Sequence, residues 1–306
     1  MKDKSGANTS QFFNFARDSY FERTSRPIYA IVFLLPFIVF YELGTILINT
    51  DVLNQSQVRV VAFVWLQDFL EYLGFGSKLA WMMPPLAVII ILIALQLASR
   101  KHWNFGLGDI GPMAVECILL AVPLIVLSLL LSSSVPSPGD ISHFNNDAIQ
   151  SGYVQCDGVM PGCSAAAMKS LSMSAEANSR QARGGSLLAN IVTGIGAGIY
   201  EELVFRLILI CILMVVFQDV FRLNRRNSII LAVFVSAALF SAHHHIVYRE
   251  GRFGQAVPFN LAEFAFRSVA GVYFAVLFAI RGFGVTAGTH AFYDILATII
   301  NAVFFQ

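Results

Sequence analysis

Charge is what this sequence has least of. Only 13% of its 306 residues are Asp, Glu, Lys or Arg, while 57% are hydrophobic. A soluble domain is roughly a quarter charged. With 20 basic and 19 acidic side chains, the chain cannot wet the surface of a soluble enzyme of this length. So apolar a composition also excludes a disordered chain. The net charge is +1, so no broad basic field attracts phosphate, and a nucleic-acid binder is excluded. Two catalytic signatures are missing as well. There is no His-Glu-x-x-His zinc motif and no Gly-x-Ser-x-Gly elbow. Nor does a cysteine adjoin the histidines, so a covalent nucleophile is not expected. The first 26 residues are polar and hold no apolar run, so no cleavable signal peptide is expected and the first span serves as the insertion signal.

What the chain does have is long apolar runs. Residues 27–48, 79–98, 111–132, 228–244, 261–280 and 283–304 each approach the length that a bilayer requires. Segment 187–217 is longer, about 46 Å if helical throughout, so it must tilt, break or protrude. In 58–75, Gln67, Asp68 and Glu71 share one helical face, which suits an interfacial helix or a span with a polar inner face. The expected fold is all-α: a polytopic transmembrane bundle of 7–8 helices with a polar intramembrane cavity. Seven crossings with a cytoplasmic N-terminus put Lys2, Lys4, Arg17, Arg23, Arg26, Arg100, Lys101, Arg222, Arg225, Arg226 and Arg281 inside. That arrangement obeys the positive-inside rule. An eight-span chain with its N-terminus outside is the alternative.

The boundaries follow from the same runs. They give a polar cytoplasmic tail (1–26), N-terminal spans (27–132), an extramembrane Ser/Gly-rich loop (133–185) and a catalytic group of spans (186–306). The loop carries Cys156 and Cys163, separated by Gly158, Pro161 and Gly162, which allow a turn and a disulfide in an oxidising compartment. Cys117 and Cys211 lie in apolar spans and read as packing residues.

Ionisable groups inside spans are costly, so each needs a partner or a role. Four groups stand out: Glu42 with Glu116; Glu201, Glu202 and Arg206; His243, His244 and His245; and His290 with Asp294. Arg267 also lies within a span. In GIGAGIYEELVFR, Glu202 and Arg206 are four apart and can pair, while Glu201 points about a hundred degrees away and stays free. Gly194, Gly196 and Gly198 leave a bare face that another helix or an extended substrate can approach. In ALFSAHHH, Phe240 and His244 share a face, while His243 and His245 read as an interfacial or adventitious metal patch. In GTHAFYD, His290 and Asp294 are again four apart, a spacing that lets a carboxylate fix the ring's tautomer. Glu202 with Arg206 also reads as a buried pair that only fixes helix register, and His290 with Asp294 as a buried polar pair that holds two helices together. Together they supply a carboxylate and an imidazole to deprotonate water, and further polar groups to stabilise an oxyanion.

In that order, EExxxR (Glu201–Arg206), FxxxH (Phe240–His244) and HxxxN/D (His290–Asp294) resemble the CAAX protease and bacteriocin-processing family. Its intramembrane proteases include the type II CAAX prenyl endopeptidases. The resemblance runs from 187 to 304, and Gly271 fits it. It extends only loosely to Tyr41-Glu42 and Glu116. It implies a glutamic-type hydrolase in which Glu201 and His244 activate water and Glu202, paired with Arg206, shapes the site. His290 and Asp294 then occupy the oxyanion positions. Many members carry Asn in the last place. An ionised Asp294 would repel an oxyanion, so here it is protonated or orients His290 instead.

The expected function is an endopeptidase in a bacterial inner or plasma membrane, acting on membrane-associated or lipidated proteins among membrane lipid. No cofactor is required. One rival is a zinc enzyme with Glu201, His244 and His290 as ligands. The other is a non-enzymatic immunity, scaffold or transport protein, for the family is also linked to self-immunity against bacteriocins. Residue counting from the loop ends places His290 nearer the cytoplasm, His244 nearer the outside and the Glu pair near the middle. Spacing alone does not make them converge.

Overall fold

The computed structural model describes residues 19–51, 61–74, 83–133, 172–249, 252–255 and 259–304. A short helix, α1 (Tyr20–Thr24), opens with Ser19 as its cap. Pro27 then starts α2 (Pro27–Asp51), a first-turn position where its missing N–H costs nothing. Helices α3 (Val61–Tyr72) and α4 (Met83–Ser99) follow, then a single 3₁₀ turn (Leu107–Asp109) and α5 (Ile110–Ser133). Helix α6 (Ser172–Glu202) continues through a π-helical stretch, Leu203–Leu209, into α7 (Ile210–Val215) and a second π turn, Val216–Val220. Asn224 caps α8 (Arg225–His243) by accepting from the Asn227 amide at 2.9 Å. Helix α9 (Leu261–Phe304) closes the fold.

Five helical rods are long and apolar enough to cross a membrane: 27–48, 107–131, 187–220, 225–243 and 261–304. The last is 44 residues long and breaks at Gly282, whose φ of 75° lies in the left-handed region. Only glycine enters that region cheaply, so the chain bends there into two passes. With the 17-residue α4, the described residues supply seven candidate passes. Leu43, Leu119 and Val303 are exposed on the outer faces, where lipid rather than water suits them. The protein is a polytopic helical membrane bundle. The described part of helix α3 has 12 residues and spans about 18 Å. It lies against the bundle with Phe63 buried and Asp68, Phe69 and Glu71 outward.

Three details differ from the sequence reading. A two-stranded antiparallel hairpin, β1 (Ile246–Arg249) with β2 (Arg252–Gln255), follows α8, and Ile246 pairs with Gln255. Cys211 faces outward instead of packing inside, whereas Cys117 is buried as expected. Cys156 and Cys163 lie outside the described residues.

Helix α9 packs mainly on α6, α5 and α8. The main core gathers Tyr29, Phe33, Tyr41, Phe63, Met113 and Tyr200 between the first and second halves of the chain. Arg281, expected as a cytoplasmic loop charge, is instead buried at the bend. It bonds Glu116 at 2.5 and 2.8 Å, Thr24 at 2.8 Å and the Phe21 carbonyl at 2.8 Å. Tyr20 donates to the same Glu116 at 2.8 Å. The N-terminal strap is thereby fastened to the α9 bend. Within the strap, the Arg26 guanidinium, helped by Lys101, holds the Glu22 carboxyl at about 2, below its ordinary 4.5. Glu42 and Glu116 serve separate places, for Glu42 accepts from Tyr200 at 3.3 Å.

Candidate active site

The three motifs meet inside the bundle because small residues let their helices touch. A Cβ added at Gly198 would stand 2.5 Å from the backbone nitrogen of Ala291, and one at Gly194 would stand 2.6 Å from Asp294 Cβ. The bare face of α6 thus receives the second half of α9, next to His290 and Asp294. At Gly196 the ring of Tyr41 fills the groove. This face is occupied by helix and ring, the first of the two uses that its composition allows. On the other side, Gly271 rests 3.0 Å, measured from its added Cβ, from Ala237 on α8. Ser236 donates to the Phe205 carbonyl at 2.7 Å, and Ser241 to the Phe264 carbonyl at 2.8 Å. These bonds set α8 in depth against its neighbours. They draw His244, the C-terminal cap of α8, to the level of the glutamates.

At the centre, Glu201 and Glu202 are buried at 1% and 0% exposure, and Arg206 at 0%. The rod changes from α to π bonding directly after Glu202, a local widening often found at functional sites. Glu202 Oε2 pairs with Arg206 Nε at 3.1 Å, as the four-residue spacing predicts. Arg206 also donates to the Gly271 carbonyl at 3.4 Å and lies 4.1 Å over the Phe240 ring. Phe240, which the spacing placed beside His244, therefore backs the arginine too.

His290 Nδ1 lies 2.8 Å from Glu202 Oε1. The carboxylate within bonding distance of His290 is therefore Glu202, whereas Asp294 Oδ2 stands 3.7 Å from its Nε2. Phe274 stacks on the imidazole at 4.6 Å and 20°, which fixes the ring plane. The other nitrogen, Nε2, points toward Glu201 Oε2 at 4.0 Å. His244 Nε2 reaches the same oxygen at 3.9 Å. The two histidines that residue counting set at different depths converge on one carboxylate oxygen.

His243, set aside in the sequence reading, is also here, with its Nε2 3.6 Å from Glu201 Oε1. The indole of Trp65 on α3 meets its ring edge-on at 5.6 Å. Spacing of four within one helix could not reveal either contact, since both cross between helices. The available signal was the His243–His245 triplet itself and the aromatic face of 58–75. His245 sits apart, among Phe259 and Phe264. Among the described residues, the side chains whose atoms approach closely enough to share a metal ion are Glu201, His243 and His244. His290 is not in that set. An open cleft of about 600 Å³, walled by Arg23, Tyr29, His102 and Asp109, shares no residue with the cluster.

This geometry offers one carboxylate facing three imidazoles at 3.6 to 4.0 Å, beside a carboxylate locked between an arginine and a histidine. Residues 183–296 match the model of the type II CAAX prenyl endopeptidase Rce1-like family. The Rce1-like match contains all three motifs and is the family that they resemble. It supports an intramembrane protease activity for an integral membrane protein working in a lipid environment on peptide substrates. No curated protein and no solved structure matches the chain.

Proposed function

We propose that the protein is a glutamic-type intramembrane endopeptidase that cleaves membrane-associated or lipidated proteins by direct attack of water. The observation that carries this reading is the convergence of His244 and His290 on Glu201 at 3.9 and 4.0 Å. Those separations are too long for a direct hydrogen bond and of the size that one bridging water spans. Glu201 and His244 hold that water, and Glu201 takes its proton as the oxygen attacks the peptide carbonyl.

Glu202 cannot compete for the proton, because Arg206 and His290 engage both of its oxygens. Its bond to His290 places a proton on Nδ1. A second proton on Nε2 makes an imidazolium that Glu202 stabilises and that faces the reacting centre. That cation offsets the charge of the tetrahedral oxyanion. Asp294, protonated, adds a second donor there and no repelling charge. Collapse of the intermediate passes the proton held by Glu201 to the departing amine. No acyl-enzyme forms and no metal is required. A prenylated C-terminal peptide is the substrate class that the Rce1-like match suggests.

The test is comparative proteomics of membrane fractions from cells carrying wild type or Glu201→Ala. Peptide termini present with wild type and absent with the variant are expected on membrane-associated proteins. Identical terminomes, with both proteins expressed equally, contradict the reading.

A further inference from the structure

The contact between His243 and Glu201 is the part of the cluster that water attack leaves unused. His243 Nδ1 lies 2.6 Å from the carbonyl oxygen of Phe240. A carbonyl only accepts, so Nδ1 carries the proton and Nε2 presents a lone pair. That lone pair faces Glu201 Oε1, which is also only an acceptor when ionised. Neither atom has a hydrogen-bond partner among the described residues, and both residues are more than nine-tenths buried. With the ring neutral, two buried acceptors aimed at one another require a positive charge between them, and a proton or a metal ion supplies it. His244 Nε2 adds a third donor atom on the same carboxylate, and its Nδ1 has no hydrogen-bond partner to dictate the tautomer.

We propose that Glu201, His243 and His244 form a site for zinc or a zinc-like divalent ion, and that filling it switches the hydrolysis off. One ligand atom from each residue lies within 4.8 Å of the others. In a tetrahedral zinc site with bonds of about 2.0–2.1 Å, ligand atoms stand about 3.4 Å apart. His243 Nε2 stands 3.6 Å from Oε1 and His244 Nε2 3.9 Å from Oε2, so the two imidazoles address different oxygens of one carboxylate and side-chain rotation must close the set from within 4.8 Å to the tetrahedral spacing. Two imidazoles and a carboxylate are ordinary zinc ligands and leave one position open. The Phe240 carbonyl supplies the outer partner that holds a ligating histidine in the correct tautomer. The Trp65 edge and the Phe205 ring, 4.8 Å from the His243 ring, restrict its swing.

The sign of the effect follows from the base. Glu201 bound to the ion cannot accept a proton from water. Glu202 cannot replace it while Arg206 and His290 hold it. The regulatory half of the proposal rests on the hydrolytic reading, whereas the site itself does not.

The full-length protein in detergent is stripped with chelator and titrated calorimetrically with zinc chloride. Cobalt(II) serves as a second probe, read through its visible ligand-field bands. About one equivalent per chain is expected, with affinity weakened roughly tenfold or more in His243→Gln. His245→Gln, altered outside the set, keeps the wild-type affinity. Gel filtration and the cobalt spectrum distinguish a lost ligand from a misfolded chain. Zinc binding that survives His243→Gln, or that falls equally in His245→Gln, overturns the site and leaves an adventitious histidine patch. In the peptidase assay, zinc is expected to abolish wild-type cleavage and chelator to restore it. Activation or indifference overturns the regulatory half. If wild type cleaves no peptide at all, the hydrolytic reading fails while the titration still decides the site.

Discussion

At the scale of single residues, the two adjacent glutamates differ in what surrounds them. Glu202 has a guanidinium at 3.1 Å and an imidazole at 2.8 Å, so its charge is spent on structure. Glu201 has histidines only at 3.6 to 4.0 Å, so its charge is available for chemistry. Removing the arginine leaves an uncompensated carboxylate in a dry interior. Arg206→Met is therefore expected to destabilise by about 3–5 kcal/mol. Thermal unfolding in detergent reads this, and adding Glu202→Gln to the same chain is expected to recover part of the loss. If Arg206→Met melts like wild type, the pair contributes nothing. This pairing was legible in the sequence because both partners lie on one helix, four apart. The partner of His290 was not, because Glu202 belongs to another helix and no periodicity within 288–294 reports it. His243 escaped for the same reason.

At the scale of elements, glycine decides which helices touch. The stripe at 194, 196 and 198 was legible as a bare face, and its occupant is the second half of α9 together with Tyr41. A backbone nitrogen cannot swing aside for a new methyl group. Gly198→Ala is expected to push α9 from α6, cost about 1–3 kcal/mol and lower kcat by drawing His290 away from Glu202. Gly111→Ala is the control, since a Cβ there meets nothing within 4 Å. Equal melting temperatures and equal rates for the two variants would show that the close approach is unimportant. The break between the last two passes was legible as a gap between apolar runs. The reason that it falls at Gly282 is a backbone conformation with φ of 75°, which no hydropathy pattern encodes. Helix α3 remained ambiguous between span and surface because amphipathicity allows both, and its described stretch is 12 residues long.

At the scale of the whole molecule, scarcity of charge correctly assigned the chain to the membrane, and the few buried charges marked its interior. The seven candidate passes among the described residues are an odd number, which predicts termini on opposite sides. Protease protection of terminal tags in sealed vesicles is expected to show an N-terminal tag on the cytoplasmic side and a C-terminal tag outside. Tags on the same side contradict that count. The depth at which the motifs meet was not legible, because it depends on the interhelical bonds of Ser236 and Ser241, which no single-helix spacing contains. The central claim is that Glu201, and not its neighbour, activates the water. Its most direct test is kcat/KM of purified wild type and Glu201→Gln on one prenylated C-terminal peptide in lipid vesicles. The account predicts a loss of about 10²–10⁴-fold with an unchanged melting temperature. Undiminished cleavage by Glu201→Gln would contradict it.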